Sequence, residues 1–183
     1  MKVLLASQSP RRKELLKELI QDFNVETYPA DENFLGETPQ DTVREIALRK
    51  LNAVPQKDRY DLIIASDTLV YKDGVYYGKP KDRDDAIRML SELQGKIHQV
   101  CSSLAIYYKG VTESHSVTTL VTFKQMTLQD ITDYLDSHYC YDKAGAYAVQ
   151  DGVVVEKYDG SYTNIVGLPI EKLTEILREK NVI

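Results

Sequence analysis

The chain has 183 residues, is 43% hydrophobic and 28% charged, and carries a net charge of −5 at neutral pH. That length suits one domain, or two lobes sharing a core, over residues 1–183. The acidic balance argues against a nucleic-acid binder, which needs many phosphate neutralisations. No apolar run nears the ~20 residues that cross a bilayer and no signal-peptide pattern is present, so a cytoplasmic protein without a membrane partner is expected.

In chain order, "KVLLA" reads as a short apolar strand, followed by Ser9 as a helix cap and Pro10 at the first helical position. Leu15, Leu16, Leu19 and Ile20 give the helix an apolar stripe. Arg11 and Arg12 fall in its first turn, where the helix field disfavours each cation by roughly 0.3–1 kcal/mol. Open amides, serine hydroxyls and two guanidinium groups at one helix start suit an anion, above all phosphate. On that reading Arg12 serves the ligand rather than the fold, and Arg12→Ala is expected to leave the fold intact or slightly steadier.

Residues 23–30 alternate like a strand, and 31–40 form a polar connection. A helix is predicted over 38–54, capped by Thr38, with Val43, Ile46, Ala47, Leu51 and Val54 inward. Residues 61–71, "DLIIASDTLVY", read as one buried strand, "KDGV" as a hairpin turn and "VYYGKP" as the return strand. A helix over 82–95 is capped by Asp82. Two long strands fill 98–126, joined at "YKG", and Thr127 caps a helix over 127–139. "DKAGAYAVQDG" reads as a loop, 153–162 as a strand entering a turn, and Pro169 opens a final helix. Alternating helices and strands with an antiparallel hairpin predict an α/β protein with a mixed sheet.

Asp67 follows an apolar run, and a carboxylate there must be paired, hydrogen-bonded or metal-bound. It is the first candidate for a base or metal ligand. Glu32, Lys50 and Lys79 are ordinary surface residues when read singly. His98, His115 and His138 show no ligand spacing, and Cys101 and Cys140 read as buried thiols. Neither a P-loop nor a dinucleotide fingerprint occurs.

"ASQSPRRKELL", "ASDTLV", "GKP", "LSELQGKIHQV", "DKAGAYAVQ" and "GSYTNIVGLP" resemble, in order and spacing, the Maf family across nearly the whole chain. The resemblance implies a nucleoside triphosphate pyrophosphatase that releases a monophosphate and pyrophosphate. It also implies an elongated, two-lobed α/β fold with a central cleft, similar to that of the inosine triphosphate pyrophosphatases. By the same resemblance Asp67 matches the catalytic base, with Glu32, Lys50 and Lys79 beside it. Ser7, Arg11 and Arg12 fall on the phosphate-binding loop, and Arg12, Thr68 and Gln150 on positions of base selection. A Mg²⁺ or Mn²⁺ ion at Asp67 and Glu32, a small nucleotide as partner and a homodimer are further expectations. The "AGAYAVQ" segment looks like the subgroup acting on dTTP and UTP. The alternatives are a subgroup acting on 7-methyl-GTP and a nucleotide-binding regulator of septum formation. Gln8 departs from the small residue common in the family's first loop.

Overall fold

The computed structural model describes residues 1–183. Its eight strands are β1 (Val3–Leu5), β2 (Asn24–Val25), β3 (Leu62–Ala65), β4 (Thr68–Lys72), β5 (Val75–Tyr77), β6 (Ile97–Tyr108), β7 (Val111–Phe123) and β8 (Val155–Asp159). Six helices accompany them: α1 (Pro10–Lys17), α2 (Pro39–Asn52), α3 (Arg83–Leu93), α4 (Leu128–Ser137), α5 (Tyr162–Val166) and α6 (Ile170–Glu179). All strands join one mixed sheet in the order β2-β1-β3-β6-β4-β5, with β7 on the other edge of β6 and β8 beyond it. Only β1–β2 and β1–β3 are parallel.

Alternation along the strands explains the layers. Val3, Leu5, Leu62, Ile64, Leu104 and Ile106 face one side, where Leu16 of α1 and Leu173 and Leu177 of α6 cover them. Leu4, Ile63, Ala65 and Ala105 face the other, against Ala47 and Leu51 of α2. Burial on both faces is why these strands read as continuous apolar runs. The far half has its own core, in which Ala86, Leu90 and Leu93 of α3 and Ile131 and Tyr134 of α4 pack on Val70, Val100, Val121 and Phe123.

Ser9, Thr38, Asp82 and Thr127 cap their helices as read from the sequence, and Thr127 forms a reciprocal capping box with Asp130. Both cysteines are buried and free. Four expectations change. The predicted strand over 61–71 is interrupted at Ser66–Asp67, and the one over 23–30 shrinks to Asn24–Val25, both exposed. Residues 144–146 and 149–151 of the predicted loop are 3₁₀ turns. A helix unforeseen in the sequence, α5, fills the "SYTNIV" stretch, while Pro169 marks the start of α6 as expected, standing at its N-cap.

Candidate active site

The interruption at Ser66–Asp67 leaves the pairing register untouched, since Ala65↔Ala105 and Thr68↔Ser102 advance three residues on each strand. Across the gap the Ser103 N–H donates to the Asp67 carbonyl at 2.9 Å, and the Asp67 N–H donates to Ser103 Oγ at 3.2 Å. The outer edge of this line changes partner at the same point. Before it β3 pairs with β1, and after it β4 pairs with β5. The sheet forks there, and a cleft opens beyond the carboxyl ends of parallel β1 and β3, the usual ligand position in such sheets.

Two cavities of about 410 and 640 Å³ form the cleft. Their common rim holds Ser9, Arg11, Arg12, Glu32, Lys50, Lys79 and Asp142. The smaller cavity adds Asp67, Lys143, Gln150 and an apolar wall that includes Val70, Val100, Tyr147 and Ile165. Five cationic side chains against three carboxylates leave the cleft with a net charge of +2 in a protein of −5. The positive charge is concentrated locally, as the acidic composition requires of any anion site.

Lys50, in the last turn of α2, is the hub of the carboxylates. Its Nζ donates to Asp67 Oδ1 at 2.7 Å and lies 3.2 Å from Glu32 Oε2. Asp67 and Lys50 are 14% and 18% exposed, whereas Glu32 is 60% exposed, so the pair sits on the floor and Glu32 at the mouth. Lys79 stands exposed at the end of the β5 hairpin and is the one cleft cation without an ion pair or side-chain hydrogen bond. Gln150 is exposed too, and its amide lines the smaller cavity with no protein partner.

Arg12 turns inward. Its Nε donates to the Gly167 carbonyl at 2.8 Å and Nη1 to the Ser66 carbonyl at 3.0 Å and Ser7 Oγ at 3.3 Å. Nη2 donates to Thr68 Oγ1 at 3.0 Å. Four of the five guanidinium donors are thereby spent on protein, and one remains for a ligand. Burial lowers the Arg12 pKa from its ordinary value, and the Asp67 charge opposes that shift. The expectation that Arg12 serves the ligand alone is corrected, because it fastens α1 to the sheet fork and to the turn before α6. Gly167 permits this approach with φ of 122°, and a Cβ there would be strained by that φ and would press on Thr68 Oγ1 at 3.3 Å.

The sequence reading omitted three groups. Asp142 and Lys143 line the cleft, and Asp142 engages Arg11, whose Nη1 donates to Asp142 Oδ2 at 2.8 Å. Asn164, fully buried in α5, accepts from the Ser102 N–H at 3.1 Å and donates to the Val100 carbonyl at 3.0 Å and Thr119 Oγ1 at 2.9 Å. Ser102 Oγ in turn contacts Thr68 Oγ1 at 2.8 Å. The signals were the charged pair in "DKAG" and a Ser161 cap three residues before a lone asparagine.

A mixed α/β sheet forked over a cation-rich, partly apolar cleft defines an α/β protein built to hold an organic anion. The family follows from sequence. Residues 2–180 match the model of the Maf-like proteins, and the chain belongs to that family. A dTTP/UTP pyrophosphatase of Geotalea uraniireducens is 42% identical, with 99% of this chain and 96% of that protein covered. Proteins of the same name from Latilactobacillus sakei and Clostridioides difficile are 40% and 39% identical, covering 96% and 98% of this chain and 98% and 95% of theirs. The structure of the Staphylococcus aureus Ham1 protein has a TM-score of 0.60 at 16% identity, covering 98% of this chain and 100% of that one. That likeness concerns the fold alone, and it agrees with the fold class read from the sequence.

Proposed function

We propose that this chain is a dTTP/UTP pyrophosphatase, cutting the bond between the α- and β-phosphates to leave a monophosphate and pyrophosphate. The observation that carries the reading is a cation-rimmed cleft in which Lys50 holds Asp67 and the side chain of Gln150 lines the wall without a protein partner. The names of relatives at about 40% identity supply the substrate class.

The pyrimidine lies against the apolar wall of the smaller cavity. Gln150 offers one acceptor and two donors, which suits the O4/N3–H edge common to uracil and thymine. Purines present a different hydrogen-bonding edge, which leaves the Gln150 amide unmatched. The phosphates lie along the shared rim. Asp67 takes a proton from the attacking water as its oxygen bonds to the α-phosphorus, and the bond from that phosphorus to the bridging oxygen breaks. Lys79, Lys50 and the arginines neutralise charge gathering on the pyrophosphate, which in phosphoryl transfer is most of the protein's task.

The donor set also suits a divalent cation. No three His, Cys, Asp or Glu residues cluster as a closed metal site. Asp67 and Glu32 instead meet at one ammonium, and these two carboxylates would hold a Mg²⁺ or Mn²⁺ ion. When bound, such an ion neutralises phosphate charge, and a net +2 cleft plus a dication balances the ~4 negative charges of a triphosphate.

The test is a turnover panel of UTP, dTTP, CTP, ATP, GTP and 7-methyl-GTP with Mg²⁺, with monophosphate and pyrophosphate both quantified. UTP and dTTP should exceed the purines by at least about tenfold, with the two products in equal amounts. Release of orthophosphate, or preference for a purine, overturns the reading.

A further inference from the structure

Asp142 holds two cleft cations at once. Its Oδ2 accepts from Arg11 Nη1 at 2.8 Å, and its Oδ1 accepts from Lys143 Nζ, also at 2.8 Å. Lys143 is kept in place by a second donation, to the Tyr139 carbonyl at 2.6 Å. Arg11 comes from α1, whose core belongs to the β1–β3 half, while Asp142 follows α4, whose core belongs to the other half. The ion pair therefore spans the waist common to both cavities.

We propose that Arg11 and Lys143 form a subsite for the outer phosphates of the substrate, and that the Asp142 carboxylate occupies it until the nucleotide displaces it. The subsite rests on the nucleotide reading above. A carboxylate facing two cations through separate oxygens is a fair copy of a phosphate, so the exchange replaces one charge-assisted pair of contacts by another. Among the three cleft carboxylates only Asp142 can leave without dismantling the Asp67–Lys50–Glu32 set. It is 40% exposed and sits in a loop, so a rotation of its side chain suffices. Arg11 gains a reason for standing in the first turn of α1, against the helix field. Burial works to raise the Asp142 pKa, yet Lys143 and Arg11 together hold it below the ordinary carboxylate value. The carboxylate is thus a standing competitor at neutral pH. Holding the two cations poised also spares the incoming phosphate the cost of ordering them.

The experiment is calorimetric titration of the whole protein with inorganic pyrophosphate in EDTA, alongside dTTP turnover, with circular dichroism melts checking that each variant folds. Asp142→Asn should tighten pyrophosphate binding about three- to tenfold, the size of a removed internal competitor. Lys143→Met and Arg11→Met should each weaken binding, and either should erase the gain given by Asp142→Asn. Equal or weaker binding in Asp142→Asn overturns the subsite. So does a gain that survives undiminished with Lys143→Met, since it then reflects only the field of the lost charge. Tightening as predicted without any dTTP turnover sinks the nucleotide reading while leaving the phosphate subsite standing.

Discussion

Asp67 illustrates how one side chain is set apart by its backbone. In an uninterrupted strand its carboxylate would stand among the side chains of a sheet buried on both faces. The two-residue departure at Ser66–Asp67 turns it into the cleft, 2.7 Å from Lys50, while Ser103 supplies the hydrogen bonds that keep the line intact. The predicted consequence is chemical rather than structural. Asp67→Asn keeps the shape and the contact with Lys50 but cannot take a proton, so kcat should fall by about 10²–10⁴ with KM little changed. Steady-state kinetics on dTTP decide it, and a kcat within about threefold of the unmodified protein removes Asp67 from the proton transfer. Arg12 shows the opposite case, a charged residue at the site that also carries the fold. Arg12→Met should abolish turnover and lower stability by about 2–4 kcal/mol, because the buried Ser66 carbonyl loses its charged donor. Chemical denaturation that shows unchanged stability would confine Arg12 to the ligand.

At the scale of elements, α5 is small and consequential. Five residues cannot bury a helical stripe, and the segment stays folded because Asn164 makes three side-chain hydrogen bonds to β6 and β7. Its neighbours Ile165 and Val166 line the cleft. Asn164→Leu keeps the branched four-atom side chain but removes every partner and adds bulk, so unfolding should become easier by about 2–4 kcal/mol, or roughly 5–15 °C in Tm. Thermal melts check this, and turnover of dTTP should drop with the loss of the apolar wall. Such a helix is nearly invisible to periodicity, which needs two or three turns to register. Long elements were legible for the same reason: α2, α3, α4 and the β6–β7 hairpin follow directly from cap residues and apolar spacing. The fork between β3 and β4 was not, because "LIIASDTLV" has one apolar pattern throughout, and the change of edge partner is a long-range fact. The site divides likewise. Asp67 betrayed itself as a carboxylate in an apolar run, whereas the contacts of Arg12 reach residues 54 and 155 positions away and leave no local trace.

For the whole molecule, the core of the α3–α4 half makes stability depend on pH through one imidazole. His98 on β6 is 2% exposed, packs edge-on to Phe123 and Tyr147, and shares a 2.7 Å hydrogen bond between Nε2 and the Tyr147 hydroxyl. Its Nδ1 is buried without a partner. Burial, aided by the positive charge of Lys72, pushes its pKa down to about 4 from an ordinary 6.5. The folded protein therefore keeps His98 neutral over a range in which the unfolded chain protonates it. Above pH 6.5 both states are neutral and the full stability is present. As the pH falls from 6.5 to about 4 the unfolded state binds the proton first, and stability declines throughout that window by up to about 3 kcal/mol. Carboxylates whose pKa is lowered in the fold, such as Asp85 and Glu113, add their own loss only further into acid. The acid limb should thus begin well above the carboxylate range. His98→Gln cannot titrate but can still bond the Tyr147 hydroxyl, so its stability should be flat between pH 6.5 and 5 where the unmodified protein already weakens. Urea titrations at half-unit pH steps separate the two, and identical slopes in both proteins would assign the dependence to some other group. Because Tyr147 also lines the cleft, the same protonation that loosens this core reaches the apolar wall proposed to receive the pyrimidine.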